Sequence, residues 1–331
     1  MGFQRTTLFV LFFLVLFSFR AFGQEHTLVR LSFGSGWYAL PAVVAVERGF
    51  FAQEGLVVSG LASASGPAVI NALNAGSTDF AEVPQRVLLV MAAAKVPVKV
   101  VAMSGWGTEM ELVAKVGVPA ESITDLKGKR IAVLRGSEAF PVLVRLLNRA
   151  RLRPTDVEIT QLSASDLTQA FQKDLAEAVF ETRHFTSVLV QTGQARVVIG
   201  SQDVSTALGV IGAIPLVART AEIENNPETV QKVVSAWVKA LKYIEQDPDD
   251  AARLLQIFFH RQGVKATTSM ARSWVDMVKY NEYAWSPNAV ADAEYNGWGL
   301  KIGGILKVAP KLTGYIDNRF VEKALKIIGA P

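Results

Sequence analysis

The stretch Ser35-Gly-Trp-Tyr-Ala-Leu-Pro-Ala-Val-Val-Ala-Val-Glu-Arg-Gly-Phe-Phe-Ala-Gln-Glu-Gly-Leu56 joins a glycine-rich strand exit to a short helix. The preceding run Leu28–Phe33 has the pattern of a strand, and Pro41 suits the first turn of a helix, where no amide hydrogen is needed. Gly49 ends the helix, and Gly55 turns the chain into a second strand. Because the free N–H groups of a helix start face such a turn, this stretch predicts a site for an anion or a polar ligand.

The segment Met1–Gly23 has the layout of a secretory signal. Arg5 lies in its short leading part, an apolar run extends from Leu8 to Phe19, and Ala21-Phe22-Gly23 supplies small-residue cleavage positions. The apolar run is short for a membrane helix, which needs roughly 20 apolar residues. We therefore expect a cleaved N-terminal signal peptide, with an uncleaved anchor as the alternative. The chain has no cysteine, hence no lipid acceptor, disulfide or thiolate metal site, which favours free diffusion in a Gram-negative periplasm.

The composition indicates a soluble protein that does not bind nucleic acid. Two leader arginines, Arg5 and Arg20, account for half of the formal net charge of +4. The other basic residues are scattered among acidic ones, and no zinc-finger or RNA-binding aromatic motif is present. The roughly 300 residues left after cleavage exceed the size at which one core usually keeps growing, so two lobes are expected.

Strands alternate with helices along the chain, which is typical of wound, mostly parallel sheets. The first series of predicted elements comprises strands Val57–Leu61, Phe80–Val83 and Val98–Met103 and helices Gly66–Gly76 and Gln85–Lys95. The second comprises strands Ile131–Leu134, Val157–Gln161, Ala176–Phe180 and Val197–Gly200 and helices Phe140–Ala150, Asp166–Gln172 and Phe185–Gln191. Two segments, Leu112–Val116 and Val210–Val217, are predicted to cross between the lobes. The C-terminal part is predicted to be helical at Val230–Gln246, Pro248–Phe259, Ala266–Tyr280 and Phe320–Ile328.

Several motifs resemble one family of binding proteins. The opening stretch contains Trp37-Tyr-Ala-Leu-Pro41 followed by Glu47-Arg-Gly-Phe-Phe-Ala-Gln-Glu-Gly-Leu56. Further matching segments are Ser65–Ala81, Ala92–Ala102, Asp125–Ser137, Asn226–Val230 and Tyr315–Phe320. In this order and spacing they resemble periplasmic substrate-binding proteins of ABC importers of the nitrate, sulfonate and taurine type, which are related to thiamine-pyrimidine-precursor binding proteins. The resemblance covers essentially the whole mature chain and does not indicate the ligand.

The resemblance implies an α/β fold of the two-lobed periplasmic-binding-protein (type II) class. Two wound mixed sheets flanked by helices would be joined by two crossover hinge segments. Residues 24–111 and 213–331 would form lobe 1, and residues 112–212 lobe 2. A small-molecule ligand would bind between the lobes, and an ABC permease in the inner membrane would be the partner. We expect a monomer without a cofactor.

The predicted ligand site lies where strands end, because ligands of open α/β sheets bind beyond the carboxyl ends of the strands. Serine hydroxyls, glycine N–H groups and helix starts there favour an oxyanion such as sulfonate, nitrate or carboxylate. Aromatic residues would form walls around the organic part of the ligand. The predicted ligand-binding residues are Ser35, Gly36, Trp37, Tyr38, Ser65, Gly66, Gln85, Trp106, Thr108, Glu109, Ser137, Glu138, Phe140, Glu181 and His184.

Alternatives remain for these residues. The serines also suit helix caps, and the aromatic side chains also suit core packing at a sheet end. Carboxylates complicate the anion interpretation, since in a dry cleft they repel an oxyanion. If Glu109 or Glu138 faces the cleft, a zwitterion such as a taurine-like amino sulfonate, or a nitrogen heterocycle, is favoured over nitrate.

The sequence therefore predicts the solute-binding component of an ABC import system, which captures a small anionic or zwitterionic organic molecule and closes around it. A periplasmic ligand-sensing partner of a membrane receptor would share every site feature. A pyrimidine- or menaquinone-pathway enzyme on the same fold is disfavoured, because the only histidines are His26, His184 and His260. No nucleophile elbow, metal-ligand cluster or phosphate loop is present, so we expect no catalytic residue and no metal.

Overall fold

The computed structural model describes residues 27–34, 36–63, 65–135, 137–209, 212–302 and 304–329. The predicted signal peptide and Ser35 lie outside them. The strands are β1 (Thr27–Gly34), β2 (Leu56–Ser63), β3 (Phe80–Glu82), β4 (Val98–Gly105), β5 (Met110–Lys115), β6 (Arg130–Leu134), β7 (Glu158–Leu162), β8 (Ala178–Thr182), β9 (Ala195–Ile199) and β10 (Ile214–Arg219). The helices are α1 (Leu40–Glu47), α2 (Phe50–Gln53), α3 (Gly66–Ala75), α4 (Gln85–Ala93), α5 (Ala139–Arg149), α6 (Ala164–Leu167), α7 (Arg183–Gln191), α8 (Ser201–Leu208), α9 (Thr220–Asn225), α10 (Pro227–Gln246), α11 (Pro248–Arg261), α12 (Thr268–Met277), α13 (Pro287–Ile302) and α14 (Arg319–Ile328).

The strands form two five-stranded sheets of the same design, in the orders β2-β1-β3-β10-β4 and β7-β6-β8-β5-β9. In the first sheet β1 is parallel to β2 and β3, and β10 is antiparallel to β3 and β4. In the second sheet β6 is parallel to β7 and β8, and β5 is antiparallel to β8 and β9. The antiparallel strand of each sheet is therefore the one that has just crossed from the other lobe. The predicted fold of two mixed sheets flanked by helices is confirmed.

The first crossing, residues 106–109, touches the described part of the second, residues 209 and 212–213, at two glycines. Gly212 has φ +59°, and a Cβ there would lie 2.3 Å from the carbonyl oxygen of Gly107. Gly107 has φ +152°, and a Cβ there would lie 2.5 Å from the carbonyl oxygen of Met277. Both positions therefore need glycine for conformation and for space. Met110 pairs with Thr182, so the second sheet begins immediately after the first crossing.

The first lobe has an apolar core on each face of its sheet. Helices α1, α10, α11, α12 and α14 cover one face, and α3, α4 and α13 cover the other. Trp237 of α10 is fully buried, and its Nε1 donates a hydrogen bond to Ser104 Oγ at 3.2 Å. Among the described residues, no helix is both long enough and apolar enough to cross a membrane.

One predicted helix is much shorter in the structure, and other helices were not predicted from the sequence. The helix expected over Asp166–Gln172 is only the short α6, because Ser163 caps it early and residues 168–174 form turns. Helices α8 and α13 were not predicted. In α13 apolar residues occur on all sides, and Gly297 and Gly299 lower the helix propensity, so the sequence shows no one-sided apolar period there.

Candidate functional site

A cavity of about 260 Å³ lies between the lobes, at the carboxyl ends of β1, β3, β4, β6 and β8. Its volume is below the roughly 300–1,000 Å³ of pockets for drug-sized ligands, so it suits a small solute. The lining residues are Trp37, Tyr38, Pro84, Gln85 and Ile214 from the first lobe, Gly107, Thr108, Glu109 and Gly212 from the crossings, and Met110, Glu138 and Thr182 from the second lobe.

Other hollows in the described part of the chain include three that lie away from the strand ends. One of about 550 Å³ is at α10 and α14 of the first lobe, and two of about 390 and 650 Å³ lie between α13 and the α5–α8 side of the second lobe. A further hollow of about 270 Å³ lies between α12 and the carboxyl ends of β8 and β9, and is lined by Arg183, Ser201, Gln202, Ser273, Asp276 and Met277. Because ligands of α/β sheets bind at the carboxyl ends of the strands, the cavity at which five of those ends meet is the candidate site.

Tyr38 reaches the cavity because two glycines leave room for its ring. A Cβ on Gly34 would lie 2.2 Å from the ring of Tyr38, and one on Gly36 would lie 2.8 Å from it. Trp37 packs edge-on against Tyr38, with ring centroids 5.8 Å apart at 87°. Gly34 and Gly36, which predicted a turn, thus also leave the space in which the Tyr38 ring forms part of the cavity wall.

Glu138 precedes α5 and places a carboxyl group in the cavity wall. Its Oε1 is buried and has no hydrogen-bond partner among the described residues. Burial, together with repulsion from Asp292 and Glu181 and against the opposing effect of Arg86, raises the pKa of Glu138 to about 7. The group thus changes charge near neutral pH.

Glu109 lies in the first crossing, whose backbone is held by a hydrogen bond from the Arg183 amide to the Glu109 carbonyl at 3.1 Å. Burial raises the pKa of the Glu109 carboxyl, and the nearby Arg183 opposes this shift. The Nε of Arg183 also lies 3.5 Å from Oε2 of Glu111, so Arg183 interacts with two carboxyl groups at once. The cavity thus has a second carboxyl whose charge is incompletely balanced.

Glu181 and Glu82 are buried carboxyls beside the cavity. Glu181 accepts hydrogen bonds from Ser137 Oγ at 2.8 Å and from the amides of Leu134 and Thr182, yet burial still raises its pKa. Neither oxygen of Glu82 has a partner in hydrogen-bond geometry in the described chain. Burial raises the pKa of Glu82 well above its usual range, and the nearby Ser104 hydroxyl opposes this shift. Burial, with Glu82 as a second cause, also raises the pKa of Tyr38. The sequence did not single out Glu82 as a site residue.

Gln85 connects the cavity to a polar network that the sequence did not reveal. The buried Gln85 donates from Nε2 to Asp292 Oδ2 at 3.0 Å and accepts from Asn296 Nδ2 at 2.6 Å. Asp292 also accepts from the Gly212 amide at 3.2 Å and forms an ion pair with Arg145 of the second lobe. Burial is the main cause that raises the pKa of Asp292. One carboxylate therefore joins the cavity, a crossing and both lobes.

The structure brings part of the predicted site together. The predicted residues that line the cavity are Trp37, Tyr38, Gln85, Thr108, Glu109 and Glu138. Gly36 lies against Tyr38, and Glu181 supports the wall through Ser137. The lining residues that the sequence did not predict are Pro84, Gly107, Met110, Thr182, Gly212 and Ile214. Thr182 ends a strand, Pro84 and Gly107 lie two positions after one, and Met110, Gly212 and Ile214 lie at or just before the start of one. For the first three, the position at the end of a strand is the signal that could have identified them.

Other predicted residues have local contacts outside the cavity lining. Ser65 is exposed and accepts a hydrogen bond from the Ala68 amide at 3.4 Å, which makes it the cap of α3. Gly66 faces Val87, Trp106 packs against the first-lobe core, and Phe140 packs against the second-lobe core. Ser35 and the side chain of His184 lie outside the described part of the structure. Contact of Ser35 and His184 with a ligand stays a prediction.

Residues 37–251, more than half of the chain, match the family model described as NMT1/THI5 like. The protein belongs to the NMT1/THI5-like family. Over 241 residues this family member is 28% identical to the taurine-binding periplasmic protein of Escherichia coli (strain K12), across 71% of this chain and 72% of the relative.

Solved structures show that its fold is shared by binding proteins and by an enzyme. The periplasmic aliphatic sulphonate binding protein SsuA from Escherichia coli superposes with a TM-score of 0.68 at 19% identity, over 88% of this chain and 97% of SsuA. A DszB mutant in complex with biphenyl-2-sulfinic acid superposes with a TM-score of 0.63 at 16% identity, over 91% of this chain and 99% of DszB. DszB is described as a desulfurization enzyme. The fold alone thus leaves both classes open.

Proposed function

We propose that this protein is the solute-binding component of an ABC import system, which captures a small organic molecule and delivers it to a permease in the inner membrane. The observation that carries this proposal is a cavity whose walls come from both lobes and both crossings. Contacts from both lobes exist together only when the lobes are close. A solute that makes them shifts the population toward the closed arrangement, which the permease recognises.

The solute that fits best is a small sulfonate-like anion or a zwitterion. Relatives of this chain bind taurine and aliphatic sulphonates. The N-terminus of α4 lines the cavity at Pro84 and Gln85, with no side-chain cap. Helix N-termini favour negative charge by roughly 0.3–1 kcal/mol at exposed sites and more when partly buried. An acidic group at this helix start is the orientation that we propose.

Binding without turnover is part of the proposal. Among the described residues that line the cavity, none is a serine, cysteine, histidine or lysine, so that set lacks a serine or cysteine nucleophile, a Schiff-base lysine and a histidine base. His260 lies on α11, where its Nε2 is 2.8 Å from the Ala266 carbonyl oxygen. No group of three or more potential metal ligands occurs in the described ranges.

Thermal-shift screening against sulfonates, nitrate, aromatic acids and pyrimidines tests the proposal, because a solute that binds only the folded state raises its stability. We expect at least one small sulfonate or zwitterion to raise the melting temperature and to reduce the radius of gyration in small-angle scattering. Formation of a product from the bound solute, or an unchanged radius of gyration at saturation, would contradict it. Capture by a chemoreceptor instead of a permease would favour a sensing role.

Export to the periplasm is proposed from the leader-like segment Met1–Gly23 together with the periplasmic location in the names of relatives. We expect protein recovered from the periplasm to begin at or near Gln24. Intact-mass analysis that finds Met1–Gly23 retained would contradict cleavage.

A further inference from the structure

The cavity has carboxyl groups on its walls and no basic side chain among its described lining residues. Glu109 lies in the first crossing and Glu138 at the start of α5. No lysine, arginine or histidine belongs to the described lining. An oxyanion next to these carboxylates would meet repulsion on this side of the cavity. The part of the solute that lies on this side of the cavity is therefore not an acidic group.

Glu138 has an acceptor atom that the protein does not use. Its Oε1 is buried without a partner in the described chain. The neighbouring Glu181, by contrast, accepts hydrogen bonds from Ser137 Oγ and from two backbone amides. Leaving a buried acceptor unsatisfied costs free energy, and an ionised one costs more. A solute group that donates a hydrogen bond to Oε1 would remove this cost.

The cations around the cavity do not neutralise these carboxyls. Arg86 is exposed and opposes the repulsion on Glu138 from Asp292 and Glu181 only in part. Arg183 lies near Glu109 and also contacts Glu111 at 3.5 Å. When these carboxyls are ionised, charge balance in the cavity thus favours a positive charge that is supplied by the solute.

The aromatic residues of the cavity suit the same kind of group. Trp37 and Tyr38 line it and pack edge-to-face. A cation near the face of an aromatic ring is attracted by the negative potential of that face. Carboxylates and aromatic rings in one small cavity are therefore a complementary environment for a positively charged nitrogen.

We propose that this side of the cavity is a nitrogen subsite, in which an ammonium or amidinium group of the solute donates hydrogen bonds to Glu138 and Glu109 and lies against Trp37 and Tyr38. The inference rests on the proposed solute-binding function and narrows its ligand class to solutes with a cationic nitrogen. With an acidic group at the start of α4, the favoured solute is an amino-sulfonate-like zwitterion.

Calorimetric titration with two matched pairs of probes tests the nitrogen subsite. Taurine and isethionate share a sulfonate and an ethylene chain and differ in an ammonium or a hydroxyl group. Benzamidine and benzamide share a shape and differ in charge. We expect the member with the cationic nitrogen, in at least one pair, to bind about tenfold tighter or more than its partner without one, as a charge-assisted hydrogen bond predicts.

The same titrations on Glu138→Gln and Glu109→Gln assign the preference to these side chains. We expect one or both variants to lose most of it, since the amide keeps the size and removes the charge. Glu121→Gln is the matched control, because Glu121 is an exposed second-lobe glutamate that contacts Arg196. Thermal melts of all variants show whether each is folded.

Three results would overturn the nitrogen subsite. Equal or tighter binding of both members that lack a cationic nitrogen, isethionate and benzamide, would do so while the solute-binding function stands. A cation preference that survives in both glutamine variants would remove its assignment to these carboxyls. Failure of all four probes to bind would reject it for these ligand classes, and the proposed function falls with it only if the wider screen of sulfonates, nitrate, aromatic acids and pyrimidines also finds no ligand.

Discussion

Arg145 of the second lobe forms an ion pair with the buried Asp292 of the first lobe. The guanidinium group of Arg145 also lies 5.7 Å from the ring centroid of Tyr295. Asp292 in turn bonds Gln85, which lines the cavity, and the amide of Gly212 in a crossing. The contact that joins the lobes therefore shares its carboxylate with the candidate ligand site.

Arg145→Met is expected to weaken this junction. Removing one partner of a buried ion pair leaves an uncompensated charge, at a cost of about 3–5 kcal/mol. We expect a lower free energy of unfolding in urea and a larger radius of gyration of the ligand-free protein. Arg149→Met, at an exposed position of the same helix, is the control. Scattering curves that do not differ between Arg145→Met and the wild type would mean that the pair does not hold the lobes together.

Gly34→Ala is expected to disturb the cavity without imposing a forbidden backbone angle. The new Cβ would lie 2.2 Å from the ring of Tyr38, so the ring must move away from the wall that it forms. Overpacking of this kind costs about 1–3 kcal/mol, and we expect the affinity for a confirmed solute to fall by about tenfold. In the control Gly314→Ala, the added methyl group meets open space. Unchanged affinity of Gly34→Ala would show that Tyr38 does not contact the solute.

The site residues that the sequence could predict are those that follow a strand. Tyr38, Gln85 and Glu138 each follow a strand of a parallel set, and such strand ends meet at one edge. The cavity contains all three. Local patterns of strands and turns thus predicted the lobes and about half of the cavity lining.

The rest depends on contacts between distant parts of the chain. Arg145 and Asp292 are 147 positions apart, and no local pattern relates them. Helix α13, which carries Asp292, has apolar residues on all sides, so its periodicity gave no signal. The serine at the start of a helix is ambiguous for another reason, since its hydroxyl suits a cap as well as a ligand.

The charge of Glu138 predicts a pH dependence of stability. Its pKa in the folded protein is raised to about 7, whereas an unfolded glutamate titrates near about 4.3. Between these values the folded state binds the proton more tightly, so stability is greatest at low pH, falls as pH rises through this window and is constant above it. The contribution is on the order of 4 kcal/mol at most.

Urea unfolding of the wild type and Glu138→Gln between pH 4 and pH 8 measures this contribution together with the coupling of Glu138 to Asp292 and Glu181, because their difference removes the effects of groups that do not interact with Glu138. We expect the stability of the wild type relative to the variant to fall as pH rises. The exposed Glu121→Gln should parallel the wild type. A difference between wild type and Glu138→Gln that stays constant across the range would show that folding does not shift the pKa of Glu138.

The variants Ser65→Ala and Ser137→Ala distinguish a role of each serine in stability from a role in ligand binding. Ser65 is exposed and caps α3 through the Ala68 amide, so we expect Ser65→Ala to lose roughly 0.5–2 kcal/mol of stability with unchanged affinity. Ser137 donates to the buried Glu181, so Ser137→Ala should cost about 1–3 kcal/mol of stability and raise the pKa of Glu181 further. Thermal melts and calorimetric titration of the same samples measure both quantities. If Ser65→Ala melts like the wild type but binds its solute more weakly, the exposed hydroxyl contacts the solute, and the site extends from the cavity to the start of α3.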